Sequence, residues 1–380
     1  MARAVVFTNP VAPSAAPPHA IFEELRRHGE ELQIYSSAQY RAAATGPAGS
    51  SVGPLNSLLR RLAFAEQILP ELLEALRANR PDYLLLDSAA IWGPVASTML
   101  DVPAISWRST CVVDREMLAA SDWPQRLLDA APPDYLALAR RLDRRYGSRT
   151  ADLAATMECR CDLNLLLLPP TLQPAAERLD TSYQFVCLAS DDPSPSGAFP
   201  WNRLGPDPLI YIALETLPGR ASDFFHACAG AFGGLPLEVV LTFDGGAEPP
   251  GLAPPNFHLF PSVPQTKLLE RTTLTIAAAD GAIVERCARA GVLQLLYAED
   301  VEQFFLAARI QGIGAGRRLE ESDLTGPRLR NLAGHVMAAP AYCLAAESLR
   351  QSLRQTGANP AAEACAAILG FTRRGSRHAL

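Results

Sequence analysis

Short apolar runs alternate with helix-periodic segments along this chain, stop at a polar, proline-rich stretch, and then begin again. Ala4 to Phe7, Leu32 to Tyr35, Tyr83 to Leu86, Pro103 to Trp107 and Leu163 to Leu168 are runs of four to six residues with the near-continuous apolarity of strands covered on both faces. Between them, Ala20 to His28 ends at Gly29, and Leu58 to Ala78 carries Leu58, Leu59, Leu62, Ile68, Leu69, Leu72, Leu73 and Leu76 on one helical face until Pro81. From Ala189 to Pro208 the residues turn to Asp, Pro, Ser and Gly, as in a linker. The alternation restarts with Leu209 to Leu214, Phe224 to Phe232, Glu238 to Phe243, Phe257 to Phe260, Leu274 to Ala277, Ile283 to Ala290 and Val292 to Tyr297. Strand and helix in turn predict parallel sheets, so the pattern reads as two successive α/β domains.

Length and composition fit. At roughly 150 residues per domain, 380 residues suggest two or three. Apolar types make up 48% and charged types 19%, which excludes disorder and supplies sizeable cores. The 34 basic and 40 acidic residues leave a net charge of -6, without a like-charge block long enough to track a phosphate backbone, so neither nucleic acid nor an acidic membrane surface is an expected partner. Lys267 is the sole lysine, and with abundant Ala, Pro and Gly this is the composition of GC-rich bacterial coding. The apolar run at the N-terminus is too short for a secretory signal and none approaches ~18 residues, so a cytoplasmic protein without membrane spans is expected. Eight cysteines are scattered, and the Cys159/Cys161 pair has no second ligand cluster at metal spacing, so buried thiols, no metal and no cofactor are expected.

A set of motifs in order carries a resemblance. Arg80 to Ser88, Trp92-Gly93 and Asp101 to Ser106 match an "RPD....DS...WG...A..L.VPA.S" signature. Leu172 to Arg178 with Tyr183 to Val186 match "FQPAAE.F...Y.FVGP". Phe199-Pro200-Trp201, Pro208 to Ile212, Val263-Pro264-Gln265, Glu302 to Phe305 and Gly312-Ile313-Gly314 continue it. The chain thus resembles the macrolide-type, family 1 glycosyltransferases of GT-B fold, in which two Rossmann-like domains face each other across a cleft. The resemblance implies an acceptor-side domain over 1-190, a linker over 191-207, an ancestral nucleotide-sugar domain over 208-355, and a C-terminal segment, 356-380, whose helix returns to the first domain.

The family's chemistry requires a base for the acceptor hydroxyl, an acidic partner and a cradle for the diphosphate leaving group. The family's base is the His of a "GHxNP" loop, and here that position falls on Ser14, whose hydroxyl has no useful basicity near neutral pH. His19 is the nearby imidazole that could substitute. The family's "SLGT" turn reads Ala213-Leu214-Glu215-Thr216, and its "HGGxNS" turn reads Ala277 to Ala282. His, both glycines and the Asn-Ser pair are replaced there, Ala278 stands where backbone amides should approach phosphate, and Glu215 and Asp280 add anions where an anion should bind. Gln265 belongs to the same degenerate donor side, the Asn of "DQFFN" has become Leu306, and Glu302-Gln303, the pair that meets sugar hydroxyls in the family, persists.

Asp87 holds the place of the family's acidic partner, with a second role open to it as cap of a helix expected over Ser88 to Thr98. Trp92, Trp107, Cys111 and the Met117 to Trp123 region are the expected lining of a substrate pocket, although Trp107 and Trp123 also read as core aromatics. The Gly312-x-Gly314-x-Gly316 stretch reads as a helix end and turn, not a dinucleotide fingerprint. Three functions remain open. The first is a repurposed enzyme converting a hydrophobic natural-product intermediate, polyketide or similar, by acid/base-assisted cyclisation, elimination or isomerisation. The second is a non-catalytic helper subunit of an active partner, and the third an active glycosyltransferase with relocated catalytic residues. A small-molecule intermediate is the expected ligand, and a homodimer is compatible with all three.

Overall fold

The computed structural model describes residues 2–8, 18–35, 54–122, 134–187, 199–217, 220–243, 252–354 and 359–375. It divides into two α/β units, Met1–Leu168 with Ala175–Leu188 and Gly357–Leu380, and Pro169–Pro174 with Ala189–Thr356. Pro169–Pro174, inside the expected first domain, groups with the second unit, where Arg309 Nε donates to Thr171 O at 2.9 Å.

The first unit contains β1 (Arg3–Phe7), α1 (His19–Arg27), β2 (Glu31–Tyr35), α2 (Pro54–Ala78), β3 (Tyr83–Asp87), α3 (Trp92–Leu100), β4 (Ala104–Arg108), α4 (Arg115–Ala119), α5 (Asp134–Tyr146), α6 (Leu153–Glu158), β5 (Leu163–Leu166) and β6 (Tyr183–Phe185). Its six strands are all parallel, in the order β2-β1-β3-β4-β5-β6. Alternate residues of these strands (Ala4, Val6, Tyr83, Leu85, Ile105, Trp107, Leu163 and Leu165) share one face, as the two-residue strand period requires, and pack on Ile21, Phe22 and Leu25 of α1. The second unit contains β7 (Leu209–Ala213), α7 (Ala221–Phe232), β8 (Glu238–Thr242), β9 (Phe257–Phe260), α8 (Gln265–Leu269), β10 (Thr272–Ala278), α9 (Gly281–Ala290), β11 (Leu293–Tyr297), α10 (Val301–Ile313), β12 (Gly316–Arg318), α11 (Gly326–Ala338) and α12 (Pro340–Leu353). Its six parallel strands run β12-β11-β10-β7-β8-β9. The last helix, α13 (Pro360–Gly375), lays Ala364, Cys365, Ile368 and Leu369 into the first unit's core beside α1.

Two expectations need correcting. The helix after β3 begins at Trp92 and not at Ser88, because Asp87 Oδ1 accepts the Ala89 amide at 2.8 Å and Asp87 O the Ala90 amide, which makes a turn of residues 88–91 first. The glycines past α10 do more than end a helix. Gly314, at φ 84°, is its left-handed C-cap, but Gly316 opens β12, so close to Gln294 O that a Cβ would stand 2.0 Å from it.

Candidate functional site

In an open parallel sheet the ligand crevice opens at the carboxyl ends of the strands where the chain order reverses. In the first unit that point lies between β1, which connects outward to β2, and β3, which connects the other way. His19 heads α1, just after β1, and Asp87 ends β3. Asp87 is half-buried and stands in register with Trp107 of β4, and the Ser88 amide donates to Trp107 O at 2.9 Å. The exposed His19 ring lies edge-on to Phe22 at 6.1 Å, and Phe22 edge-on to Trp107 at 5.6 Å. Three expected residues, His19, Asp87 and Trp107, therefore share one sheet edge, linked by Phe22, which sequence reasoning did not single out. Trp107 is 2% exposed, and its indole N–H is buried without a hydrogen-bond partner among the described residues.

The other expected pocket residues lie elsewhere. Trp92 is fully buried and packs edge-on to Phe64 of α2 at 4.8 Å, and Cys111 is fully buried. Met117 is buried in α4, where its amide donates to the capping carboxylate of Asp114 at 2.7 Å. Ser14 and Trp123 lie outside the described residues, as does the Glu215 side chain. Cys159 and Cys161 are buried and form no disulfide, and burial pushes the Cys161 thiol well up. No cluster of His, Cys, Asp or Glu among the described residues could hold a metal ion.

In the second unit the order reverses between β7 and β10, so the crevice is formed by the turn after β7, which holds Glu215 and Thr216, and the turn after β10, which holds Asp280. Thr216 links the two strand ends. Its Oγ1 donates to Ala213 O at 2.6 Å and accepts the Ala278 amide at 3.0 Å, which joins the last residues of β7 and β10 through one side chain. Asp280 caps α9 with its own carboxylate. Oδ1 accepts the Ala282 amide at 2.9 Å, so a first-turn N–H that could hold an external anion is engaged internally. Burial raises the Asp280 carboxyl pKa, against the lowering effect of the Ala282 and Ile283 amides and Arg286.

The remaining donor-side residues are turned inward too. Gln265 is buried and donates from Nε2 to Tyr211 OH at 2.8 Å, and Tyr211 OH shares a hydrogen bond with Thr242 Oγ1 at 3.0 Å. Gln303 Oε1 accepts the Glu299 amide at 2.8 Å in the turn before α10, and Glu302 is half-buried beside it.

A second network joins three separate segments of that unit. Arg220, at the head of α7, donates to both carboxylate oxygens of Glu321 at 3.0 and 2.6 Å and to Tyr297 OH at 3.2 Å, and Tyr297 OH donates to Glu321 at 3.0 Å. The bidentate guanidinium lowers the Glu321 carboxyl pKa, whereas burial pushes the Tyr297 phenol to about 12. Glu299, two residues past Tyr297, is pushed to about 7, first by burial and then by the neighbouring Asp300, with Arg220 opposing. Sequence reasoning found none of these groups, because 77 positions separate Arg220 from Tyr297 and nothing local marks the contact.

Comparison with known proteins follows the same lines. Residues 227–369 match the model of the erythromycin biosynthesis protein CIII-like C-terminal domain. Relatives include the oleandomycin glycosyltransferase of Streptomyces antibioticus, 26% identical over 77% of this chain and 69% of its own. The uncharacterized UDP-glucosyltransferase YojK of Bacillus subtilis is 21% identical over 94% of this chain and 95% of its own. Among solved structures, the calicheamicin glycosyltransferase CalG4 superimposes with a TM-score of 0.72 at 20% identity, covering 98% of this chain and 99% of its own. The glycosyltransferase of kitacinnamycin gives 0.73 at 22%, covering 97% and 98%. No helix among the described residues is long and apolar enough to cross a membrane. With two parallel-sheet units and these structural neighbours, the chain has the GT-B fold, and its matched C-terminal domain and its relatives make it similar to the glycosyltransferases of natural-product biosynthesis.

Proposed function

We propose that this chain has given up transfer from a nucleotide sugar and instead binds and converts a hydrophobic natural-product intermediate at the carboxyl edge of its first sheet. The observation that carries this is Thr216. Its hydroxyl ties the ends of β7 and β10 together across the crevice where a diphosphate would have to enter. Asp280 and Gln265 support the reading, since both direct their hydrogen-bonding groups to the protein itself. Together with the loss of the base at Ser14 and the anionic replacements at Glu215 and Asp280, the donor side offers an incoming diphosphate repulsion in place of amide donors.

The first unit keeps the means for proton transfer. Asp87 is half-buried and oriented by the Ala89 amide, in backbone register with the core residue Trp107. In this reading the Asp87 carboxylate removes a proton from the bound ligand and returns it at another atom, as a cyclisation, elimination or isomerisation requires.

Calorimetry and thermal shift with TDP, UDP and their sugars test the first half. A nucleotide at ~100 times its Kd would add ~2.7 kcal/mol and raise Tm by several degrees. A flat response across the panel is expected, and a saturable rise removes the proposal. The second half is tested by turnover of a pathway intermediate by the purified protein with Asp87→Asn, which keeps the acceptor for Ala89. Lost turnover with unchanged Tm is expected, and an unaltered rate removes Asp87 from the mechanism. Similarity to YojK, named an uncharacterized UDP-glucosyltransferase, over 94% of this chain favours a second reading, active sugar transfer with His19 as base, and the same nucleotide panel decides between the two.

A further inference from the structure

The first unit carries a charged face that this function does not use. Arg140, Arg141, Arg144, Arg145 and Arg149 place five guanidiniums within ten residues on and just beyond α5, all exposed, in a chain whose net charge is -6. The opposite side of the helix is held by Tyr135, Leu138, Ala139, Leu142 and Tyr146, all buried. Arg140/Arg144 and Arg141/Arg145 are four residues apart, so they form two like-charged rows that repel within the helix. The helix dipole accounts for Arg144 and Arg145 in the last turn but not for Arg140 and Arg141.

Few carboxylates answer these charges. Glu66 pairs with Arg141 through both oxygens at 2.8 and 3.2 Å, and Asp152 pairs with Arg149 at 3.0 Å. Asp143, the acid within the run, accepts instead from Ser148, Thr150 and Ala151. Among the described residues, Arg140, Arg144 and Arg145 form no ion pair, and Arg145 lies over the Tyr146 ring. Beside the Arg141/Arg145 row, on its side toward Glu66 of α2, is an open depression of about 300 Å³ lined by Glu66, Arg141, Leu142, Arg144 and Arg145.

We propose that this face docks a partner protein through an acidic helix. Carboxylates four residues apart on that helix would meet the two arginine rows, and an apolar side chain on its flank facing α2 would enter the depression beside Leu142. A nucleic acid fits less well, because the rows extend only ~8 Å along the helix axis and Glu66 and Asp152 lie beside them. The inference is independent of the fate of the sugar-nucleotide site.

The test uses the full chain and a fluorescent helical peptide with glutamates four residues apart and one central leucine, read by anisotropy at low and at physiological salt. A scrambled peptide of equal charge and a short DNA duplex are the comparison probes. Saturable binding is expected, weakened at least ~10-fold by Arg140→Gln/Arg144→Gln/Arg145→Gln, scarcely altered by Arg328→Gln/Arg330→Gln on α11, and steeply salt-dependent. Circular dichroism checks the fold of the triple variant, and if it is perturbed the single variants Arg144→Gln and Arg145→Gln replace it. Absence of saturable binding, equal binding of the scrambled peptide, equal loss in the α11 variant, or tighter binding of DNA would each overturn the proposal.

Discussion

Replacing Thr216 with valine keeps the shape of the side chain and removes its hydroxyl. In the native structure that hydroxyl donates to Ala213 O at 2.6 Å and accepts the Ala278 amide at 3.0 Å, and both alanines are fully buried. Valine leaves the Ala278 N–H without this acceptor and takes one donor from the Ala213 carbonyl, and a buried group left unsatisfied costs ~1–3 kcal/mol. The carbonyl retains a second lone pair and suffers less, so the expected loss is about 2–3 kcal/mol. For a folding unit of this size each kcal/mol moves the midpoint by ~2–4 °C, giving a fall of roughly 4–12 °C in the second unit's transition. Scanning calorimetry and urea titration measure it, with Thr216→Ser, which restores both bonds, expected within ~1 kcal/mol of wild type. A valine variant within ~0.5 kcal/mol of wild type would refute the reasoning, because the hydroxyl would then not hold the ends of β7 and β10 together.

Other expectations follow from the same edge and from the helix packing around it. Because the Glu299 carboxyl is raised to about 7, the folded chain binds more protons there than the unfolded one. Its contribution is full below the ordinary glutamate pKa and is lost as pH rises through 7. Glu299→Gln should therefore raise Tm relative to wild type at pH 8 and leave it nearly unchanged at pH 5, and an offset independent of pH would contradict the assigned burial. Gly326 of α11 approaches α7 so closely that a Cβ would stand 2.8 Å from the backbone carbon of Gly230. Gly326→Ala should destabilise by ~1–3 kcal/mol in urea titration. By contrast, Gly334→Ala, with nothing within 4 Å of the added carbon, should stabilise by up to ~1 kcal/mol, and equal effects at the two sites would dismiss the close approach.

The order of elements was legible because buried parallel strands are continuous apolar runs and their helices repeat every three to four residues. Phe257–Phe260 is the same in sequence and structure, and most other boundaries move by one to three residues. The shift at α3 shows the limit. Asp87 reads equally as helix cap or site acid, and only the bond to Ala89 shows that a turn comes first. The short strands β6 and β12 were missed, since three residues, as in Gly316–Arg318, carry no measurable period.

Sequence alone determined the two α/β units and the apolar faces that hold them, and it raised the expectation that Ser14, Glu215, Ala278 and Asp280 stand where the resembled family has its base and phosphate turns. Tertiary structure alone decided what the remaining polar groups do. The strand order sets β10 against β7 and so brings the Ala278 amide to Thr216, 62 positions away, and turns Gln265 onto Tyr211. It also sets Trp107 in register with Asp87. A side chain's preference for apolar or polar surroundings is written in its own chemistry. The partner of a hydrogen bond is fixed only when distant strands align, because the bond requires a second group within about 3 Å that the local chain does not supply.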